Sequence, residues 1–158
     1  MTLYRAKFRN DKNYKWHYGY FFNNCDFGVN QSYIVESNDN TGTGDHFIVD
    51  TSTLGQFTGL QDKTNNNIFQ GDYFIYKKHP KYSMDSFIGQ VVWIEESACF
   101  GYIKLKGSYN FIPTPFAEHD ELKHDVLNFL EVVGNIFDNK IDELVAQHSI
   151  SSGGFTKE

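Results

Sequence analysis

The chain is poor in cysteine. Only Cys25 and Cys99 occur among its 158 residues, and neither is part of a CxxC pair. Two isolated cysteines cannot build a disulfide framework, and the missing CxxC spacing argues against a cysteine-based metal or redox centre. We therefore expect two reduced thiols in a cytosolic protein.

Long apolar runs are also missing. No stretch approaches the roughly 20 consecutive apolar residues that a membrane-spanning helix requires. The start, MTLYRAKFRNDKN, carries charge but lacks the apolar segment of a secretory signal. We expect no membrane association and no signal peptide.

Basic residues are scarce overall but concentrated at one end. The net charge is -6, yet residues 1–20 hold five basic residues against Asp11, a net of +4, which leaves -10 for the rest. Phosphate attraction scales with the number of basic contacts, so an acidic chain is a poor non-specific nucleic-acid binder. A local basic face near the start of the chain is still compatible with this balance.

The sequence contains no convincing catalytic or ligand-binding motif. In HDELKHD (His119–Asp125) the two histidines lie five apart, on different faces of a helix, whereas zinc helices use i, i+4 pairs. The glycines of TGTGD, from Gly42 to Asp45, precede a strand and lack the lysine of a P-loop. Asp72 has no neighbouring acid/base partner. We expect no catalytic residues, no metal, no cofactor and no enzymatic activity.

Aromatic residues are abundant, at 17% of the chain, and they alternate with polar ones near the start. Strict alternation predicts half-buried strands, here Tyr4–Phe8 and Trp16–Phe22, paired as a hairpin. The first strand then has a basic face and the second an aromatic face. One interpretation is a solvated charged face and an aromatic core face. The other is a surface for single-stranded nucleic acid, with phosphate-contacting and base-stacking residues. The residues concerned are Arg5, Lys7, Arg9, Trp16, Tyr18 and Tyr20.

The segment from Val49 to Lys78 is rich in turn formers. It predicts a strand, a turn at Gly55 and Gly59, a hairpin loop over Asp62–Asn67, a second turn at Gly71–Asp72 and another strand. We expect Asp72 to hold the strand crossing through hydrogen bonds to backbone amides rather than to act in catalysis.

The second half of the chain continues the β pattern. A hairpin is predicted from Phe87–Glu95 and Phe100–Lys106, and Pro113 and Pro115 interrupt any regular element. A short helix over Glu118–Asn128 and a closing strand over Phe129–Phe137, with a bulge at Gly134, follow. Asn139 and Asp142 are then expected to cap a terminal helix. Short, evenly spaced strands predict an all-β protein with minor α content, a barrel or roll.

Three blocks of the sequence resemble the YopX family of phage and prophage proteins. The blocks are FRNDKNYKWHYGYFF, LGQFTGLQDKTNNNIFQGDYFIY and LEVVGNIFDNKIDEL. The central block is similar to the family pattern GQYTGLKDKNGKKIYEGDIV. Asn65 and Asn66 replace the usual turn glycine, and both tolerate left-handed geometry. Lys140 stands where the family usually has proline.

The resemblance implies a C-terminal SH3-type β-barrel, here over residues 55–148, preceded by an N-terminal β region over 1–54. The end of the chain, SSGGFTKE, predicts a disordered tail over 149–158. It implies a phage or prophage protein in the cytoplasm of a bacterial host, with no family catalytic residues to transfer. We expect a non-catalytic interaction module that self-associates or binds a phage or host protein. The alternative is a single-stranded nucleic-acid-binding accessory protein of phage replication or regulation. Structural roles are expected for Gly55, Gly59, Gly71, Asp72, Gly134 and Asn135.

Overall fold

A computed structural model describes residues 2–9, 14–24, 31–36, 44–77, 85–106, 112–116 and 129–148. Within these ranges the chain forms ten strands and one α-helix, which confirms the predicted all-β class with minor α content. The elements are β1 (Tyr4–Phe8), β2 (Trp16–Asn24), β3 (Gln31–Glu36), β4 (Asp45–Gln61), β5 (Asn67–Phe69), β6 (Asp72–Tyr76), β7 (Phe87–Ile94), β8 (Cys99–Lys106), β9 (Thr114–Pro115), β10 (Leu130–Asn135) and α1 (Ile141–Gln147).

Some predicted features lie outside the described residues. They are Cys25, Gly42 of TGTGD, the helix over Glu118–Asn128 with its HDELKHD motif, and the tail over residues 149–158. In the described part of the chain, no helix has both the length and the apolar character needed to cross a bilayer. The chain divides into two compact units, Met1–Phe57 and Thr58–Glu158.

The N-terminal unit is a ring of four antiparallel strands. β1 pairs with β2, β2 with β3, β3 with β4, and β4 returns to pair with β1. The predicted β1–β2 hairpin is therefore confirmed. The ring encloses a small core that consists of Ala6, Ile34 and Val49, with Tyr4, Phe21, Phe47 and Leu54 packed against it.

Gly19 determines how closely β2 approaches β3. A Cβ at this position would lie 2.1 Å from the carbonyl oxygen of Val35, closer than any side chain tolerates. His17, Gly19 and Phe21 alternate along the inner side of β2, so its other side faces outward. Tyr18 and Phe22 are accordingly 46% and 48% exposed, and the interpretation that placed them in the core is wrong.

The C-terminal unit contains a second antiparallel sheet in the order β10-β6-β7-β8-β9. One face of this sheet packs with the β4–β5 hairpin in an aromatic core. Phe74 in this core lies over Gly89, its cross-strand partner, where a Cβ would come within 2.4 Å of the ring. The buried members of this core are Ile68, Phe74, Tyr76, Phe87, Val91, Tyr102 and Leu130.

The opposite face of the sheet is covered by α1. Leu144 is 2% exposed and packs with Tyr73, Ile75 and Ile88. Ile141 and Val145, on the same side of α1, pack against this cluster as well. Burying both faces of the central strands explains why β6 reads as a continuous apolar run, DYFIY, after its first residue.

Three local predictions were wrong. β4 is one strand of 17 residues, so no turn occurs at Gly55 and Gly59, although Gly59 does adopt a positive φ of 83° within the strand. Asn139 does not cap α1, because its side chain accepts a hydrogen bond from the Asn135 N–H instead. Pro115 does not exclude regular structure. It occupies the two-residue strand β9, which is an edge strand of the second sheet in the described part of the chain, a position where a missing N–H is tolerated.

Candidate functional site: the outer face of β1 and β2

The strand register brings the basic and aromatic residues of the first hairpin to one side. Arg5 lies opposite Tyr18, and Lys7 lies opposite Trp16. Directly opposed residues of antiparallel strands point to the same face. The two sets of side chains that the sequence placed on separate strands therefore form one outer surface. We call it the ring face, and it comprises Arg5, Lys7, Tyr14, Trp16, Tyr18, Tyr20 and Phe22.

The two cations of the ring face lie against aromatic rings. The Arg5 guanidinium carbon is 4.7 Å from the centroid of the Trp16 ring. The Lys7 ammonium is 5.3 Å from the same ring and 5.7 Å from that of Tyr14. These distances fall within the range of cation–π attraction. The solvated charged face that one interpretation expected for β1 is not observed, because Arg5 and Lys7 are only 7% and 8% exposed.

The aromatic members of the ring face differ in exposure. Trp16 and Tyr20 are partly buried, whereas Tyr18 and Phe22 are about half exposed, and Tyr14 is 56% exposed. Tyr18 and Phe22 lie four residues apart on the same side of β2, a separation of about 13 Å along a strand. Arg9, the third predicted cation, follows Arg5 and Lys7 in the alternation of β1 and is exposed.

The inner side of β2 holds this orientation in place. The His17 ring stacks on Phe47 with centroids 3.8 Å apart, and its Nδ1 is hydrogen-bonded to Glu36 Oε1 at 2.8 Å. The Tyr18 N–H donates to the same carboxylate oxygen at 3.3 Å. Sequence reasoning missed His17, and the available signal was the H-Y-G-Y alternation, in which the small and polar residues are the inward ones.

Three turns of the C-terminal unit are held by hydrogen bonds between polar side chains and the backbone. Asp62 is 4% exposed, and its carboxylate accepts bonds of 3.0 Å or less from the Thr64 N–H, the Thr64 hydroxyl, the Asn66 N–H and the Val132 N–H. Burial raises the pKa of the Asp62 carboxyl, but these hydrogen bonds outweigh burial and hold the pKa below its usual value. Sequence reasoning identified this loop but not the reach of Asp62 to β10.

Gly71 and Asp72 each hydrogen-bond to the backbone of a neighbouring segment. Gly71 has a φ of 86°, which favours glycine, and its N–H donates to the Val91 carbonyl. Asp72 is 1% exposed, and its Oδ2 accepts a hydrogen bond of 2.8 Å from the Phe69 N–H. The carboxylate therefore satisfies a backbone donor at the edge of β5.

The segment at Gly134 and Asn135 is the third of these hydrogen-bonded turns. The pairing of β10 with β6 shifts between Val132 and Gly134, which confirms the predicted bulge. The Asn135 Oδ1 accepts hydrogen bonds from the Phe137 and Asp138 N–H groups. A Cβ on Gly134 would lie 2.3 Å from Asn139 Oδ1, so glycine leaves room for the Asn139 side chain. Gly55, the remaining predicted structural residue, is buried and pairs with Arg5.

The described residues contain no cluster of three or more His, Cys, Asp or Glu side chains arranged to hold a metal ion. The fold and these sites define the class of the protein. It is an antiparallel β protein of two units, with hydrogen-bonded turns in the C-terminal unit and an outward aromatic and cationic face in the N-terminal unit.

The family model described as YopX protein matches residues 3–141, and the chain belongs to the YopX family. The predicted resemblance is confirmed. A comparison with curated proteins gives no match. Among solved structures, the chain is similar to the crystal structure of protein EF1440 from Enterococcus faecalis. The two share 19% identity over 92% of this chain and 98% of that chain, with a TM-score of 0.47.

Proposed function

We propose that this YopX-family chain is a non-catalytic interaction module, encoded by a phage or prophage and active in the cytoplasm of the bacterial host. The observation that carries the proposal is the ring face, which exposes Tyr14, Tyr18 and Phe22 above two covered cations. Aromatic and arginine side chains dominate the energetics of binding surfaces. The carboxylates of Asp62 and Asp72 support a non-catalytic role because both hold backbone amides.

The C-terminal unit supports this role as a scaffold. We propose that it is the SH3-type barrel of the family, since its short antiparallel strands share one aromatic core. A small barrel of this kind presents loops and edges to partners while its interior is filled by side chains. A phage or host protein is a candidate partner, and so is a second copy of the chain.

Self-association is the first expected mode of binding. A second exposed aromatic surface is formed by Trp93, which is 38% exposed and packs edge-on against Phe100 with centroids 5.0 Å apart. Two ring faces would bring like charges together, whereas the Trp93–Phe100 pair offers an uncharged contact. Because the chain carries a net charge of -6, screening by salt should strengthen association between copies.

Sedimentation velocity over a wide concentration range tests self-association. We expect an oligomer that persists or grows at high salt and that dissociates in a Trp93→Ser variant. Tyr18→Ser with Phe22→Ser is the matched control, because it also removes exposed rings but from the other unit. A wild-type chain that stays monomeric at the highest concentration contradicts self-association, and dissociation in the control variant moves the contact to the ring face.

Single-stranded nucleic-acid binding is the second candidate. It is favoured by one observation, the common face shared by cations and aromatic rings on β1 and β2. Such binding should weaken with salt, opposite to self-association. Retention on a single-stranded DNA column at low salt, compared with a variant in which Arg5, Lys7 and Arg9 are all replaced by Gln, tests it. Absence of retention at low salt rules it out.

A further inference from the structure

The positions of Arg5 and Lys7 restrict what these cations can bind. Both groups lie within 6 Å of the Trp16 ring, and each residue is less than a tenth exposed. To contact a phosphate, the Arg5 or Lys7 side chain would have to move away from the Trp16 indole and from the strand surface. Their role on the ring face is therefore to hold Trp16, and through it the outward orientation of the neighbouring rings.

Unlike the covered cations, the aromatic side chains of Tyr18 and Phe22 are accessible to a ligand. Tyr18 and Phe22 present about half of their area to solvent and lie about 13 Å apart along β2, with Tyr20 between them. Successive aromatic side chains on one strand face are the arrangement on which unpaired bases stack, whatever their sequence. A duplex keeps its bases stacked on each other and does not offer these surfaces.

Charge decides between a polyanion and a second copy as the occupant of this face. Arg9 and Lys15 are exposed at the ends of β1 and β2, within an N-terminal stretch of net charge +4. Phosphates would be neutralised there, whereas a second ring face would bring the same positive charge. Carboxylates also lie beside these cations: Glu36, which accepts a hydrogen bond from the Tyr18 N–H, and Asp50, which lies opposite Lys7 on β4. They offset only part of the positive charge of Arg5, Lys7, Arg9 and Lys15.

We infer that the ring face binds single-stranded nucleic acid by base stacking on Tyr18 and Phe22, with Arg9 and Lys15 contacting phosphates and Arg5 and Lys7 positioning Trp16. The inference rests on the proposed interaction module and names a ligand for its N-terminal surface. It differs from the simpler expectation that Arg5, Lys7 and Arg9 all contact phosphates, because Arg5 and Lys7 lie against the Trp16 side chain.

The chain has two tryptophans, Trp16 and Trp93, so a Trp93→Phe variant leaves Trp16 as the only tryptophan reporter on the ring face. We would titrate this variant with a 15-nucleotide oligo(dT) and with a duplex of the same length at 20 and 200 mM salt. The expected result is a change in Trp16 emission with the single strand and much weaker binding of the duplex. No binding of the oligo(dT) at 20 mM salt, or equal affinity for the duplex, overturns the inference.

Ring and cation variants in this background separate the roles. Tyr18→Ser with Phe22→Ser should weaken oligo(dT) binding at least about fivefold per ring and leave the salt slope unchanged. Phe137→Ser, an exposed ring of the other unit, is the matched control and should change nothing. Circular dichroism and the melting temperature verify that each variant is folded. Unchanged affinity in the ring variant overturns the inference.

Salt dependence distinguishes the two pairs of cations. Arg9→Gln with Lys15→Gln should reduce the slope of log affinity against log salt by about 0.7 for each lost phosphate contact. Arg5→Gln with Lys7→Gln should leave that slope unchanged but alter the Trp16 emission of the unliganded protein. A reduced slope in the Arg5 and Lys7 variant overturns the assigned roles.

Sedimentation of the same variants keeps this inference separate from the proposed function. If the chain self-associates but does not bind oligo(dT), the inference fails and the interaction module stands. If the ring variant dissociates the oligomer while its oligo(dT) affinity is unchanged, the ring face binds a second copy and the inference also fails. If neither association nor oligo(dT) binding occurs, both proposals lose their support.

Discussion

The carboxylate of Asp62 accepts a hydrogen bond of 3.0 Å from the backbone N–H of Val132, which lies 70 residues further along the chain. Next to it, the Lys63 N–H donates to the Leu130 carbonyl, and the Lys63 ammonium pairs with Glu131. The loop after β4 thereby covers the outer edge of β10. We call these contacts of Asp62 and Lys63 the clasp. Among the described strands none pairs with this edge of β10, and the clasp covers backbone groups there that could otherwise pair with another chain.

Removing the clasp should destabilise the C-terminal unit. Asp62→Ala leaves the partly buried amides of Thr64, Asn66 and Val132 without their acceptor, and we expect a loss of roughly 2–4 kcal/mol in the free energy of unfolding. Urea denaturation measures this loss. Lys63→Ala is the control, because it breaks only a partly exposed ion pair and should change stability by less than about 1 kcal/mol. Equal losses in both variants contradict the assignment.

Acid should weaken the same clasp. The hydrogen bonds to Asp62 outweigh its burial, so the pKa of the folded carboxyl lies below the ordinary value of 3.8 that applies to the unfolded chain. The stabilisation is therefore complete above the unfolded pKa and is lost as pH falls through the folded pKa. We expect the stability gap between wild type and Asp62→Asn to be constant from pH 7 to 5 and to shrink below about pH 4. A gap that is independent of pH down to 2 contradicts this account.

Gly19 in β2 and Gly59 in β4 should respond to replacement by alanine for different reasons. At Gly19 the added Cβ would meet the Val35 carbonyl oxygen at 2.1 Å, so Gly19→Ala must push two backbones apart. We expect a loss of about 3 kcal/mol or more in the N-terminal unit. At Gly59 the space is open but φ is +83°, so Gly59→Ala should lose only about 1–2 kcal/mol. Hydrogen exchange of β1–β3 amides reports the first effect, and protection equal to wild type in Gly19→Ala contradicts it.

The terminal helix should contribute measurably to the second sheet. Leu144→Ala removes a side chain that is 2% exposed and packs on Ile75 and Ile88, and we expect a loss of about 2–5 kcal/mol. Glu143→Ala, on the exposed side of the same helix, is the matched control and should be nearly neutral. Thermal unfolding compares the two. A neutral Leu144→Ala shows that α1 does not stabilise the sheet.

Local patterns predicted most of the strands, while long-range contacts determined the faces and ends that were missed. The alternation of Tyr4–Phe8 and Trp16–Phe22 correctly predicts a hairpin, because period-two patterning depends on neighbours alone. The inward side of β2 was missed because it depends on how closely Val35 approaches Gly19. The prediction that Asn139 caps the helix was wrong because its side-chain oxygen accepts a hydrogen bond from the Asn135 N–H instead.

The candidate site was only half predictable for the same reason. The sequence identified Arg5, Lys7, Trp16, Tyr18 and Tyr20 as a set, since basic and aromatic residues alternate on consecutive strands. It did not reveal that Arg5 and Lys7 lie beneath Trp16, because that depends on the cross-strand register. For Asp62 the sequence predicted the hairpin loop, but not the hydrogen bond from Val132 on β10.

Closure of the four-strand ring also sets an order of events during synthesis. The Lys7 N–H finds its acceptor, the Thr53 hydroxyl, 46 residues later, and β1 pairs with β4 as far as Gln56. Contacts between such distant residues make folding slow, since the intervening loop must close first. β1 can pair with β2 as soon as both strands have been synthesised, but the pairing of its other edge must wait until the fourth strand has left the ribosome.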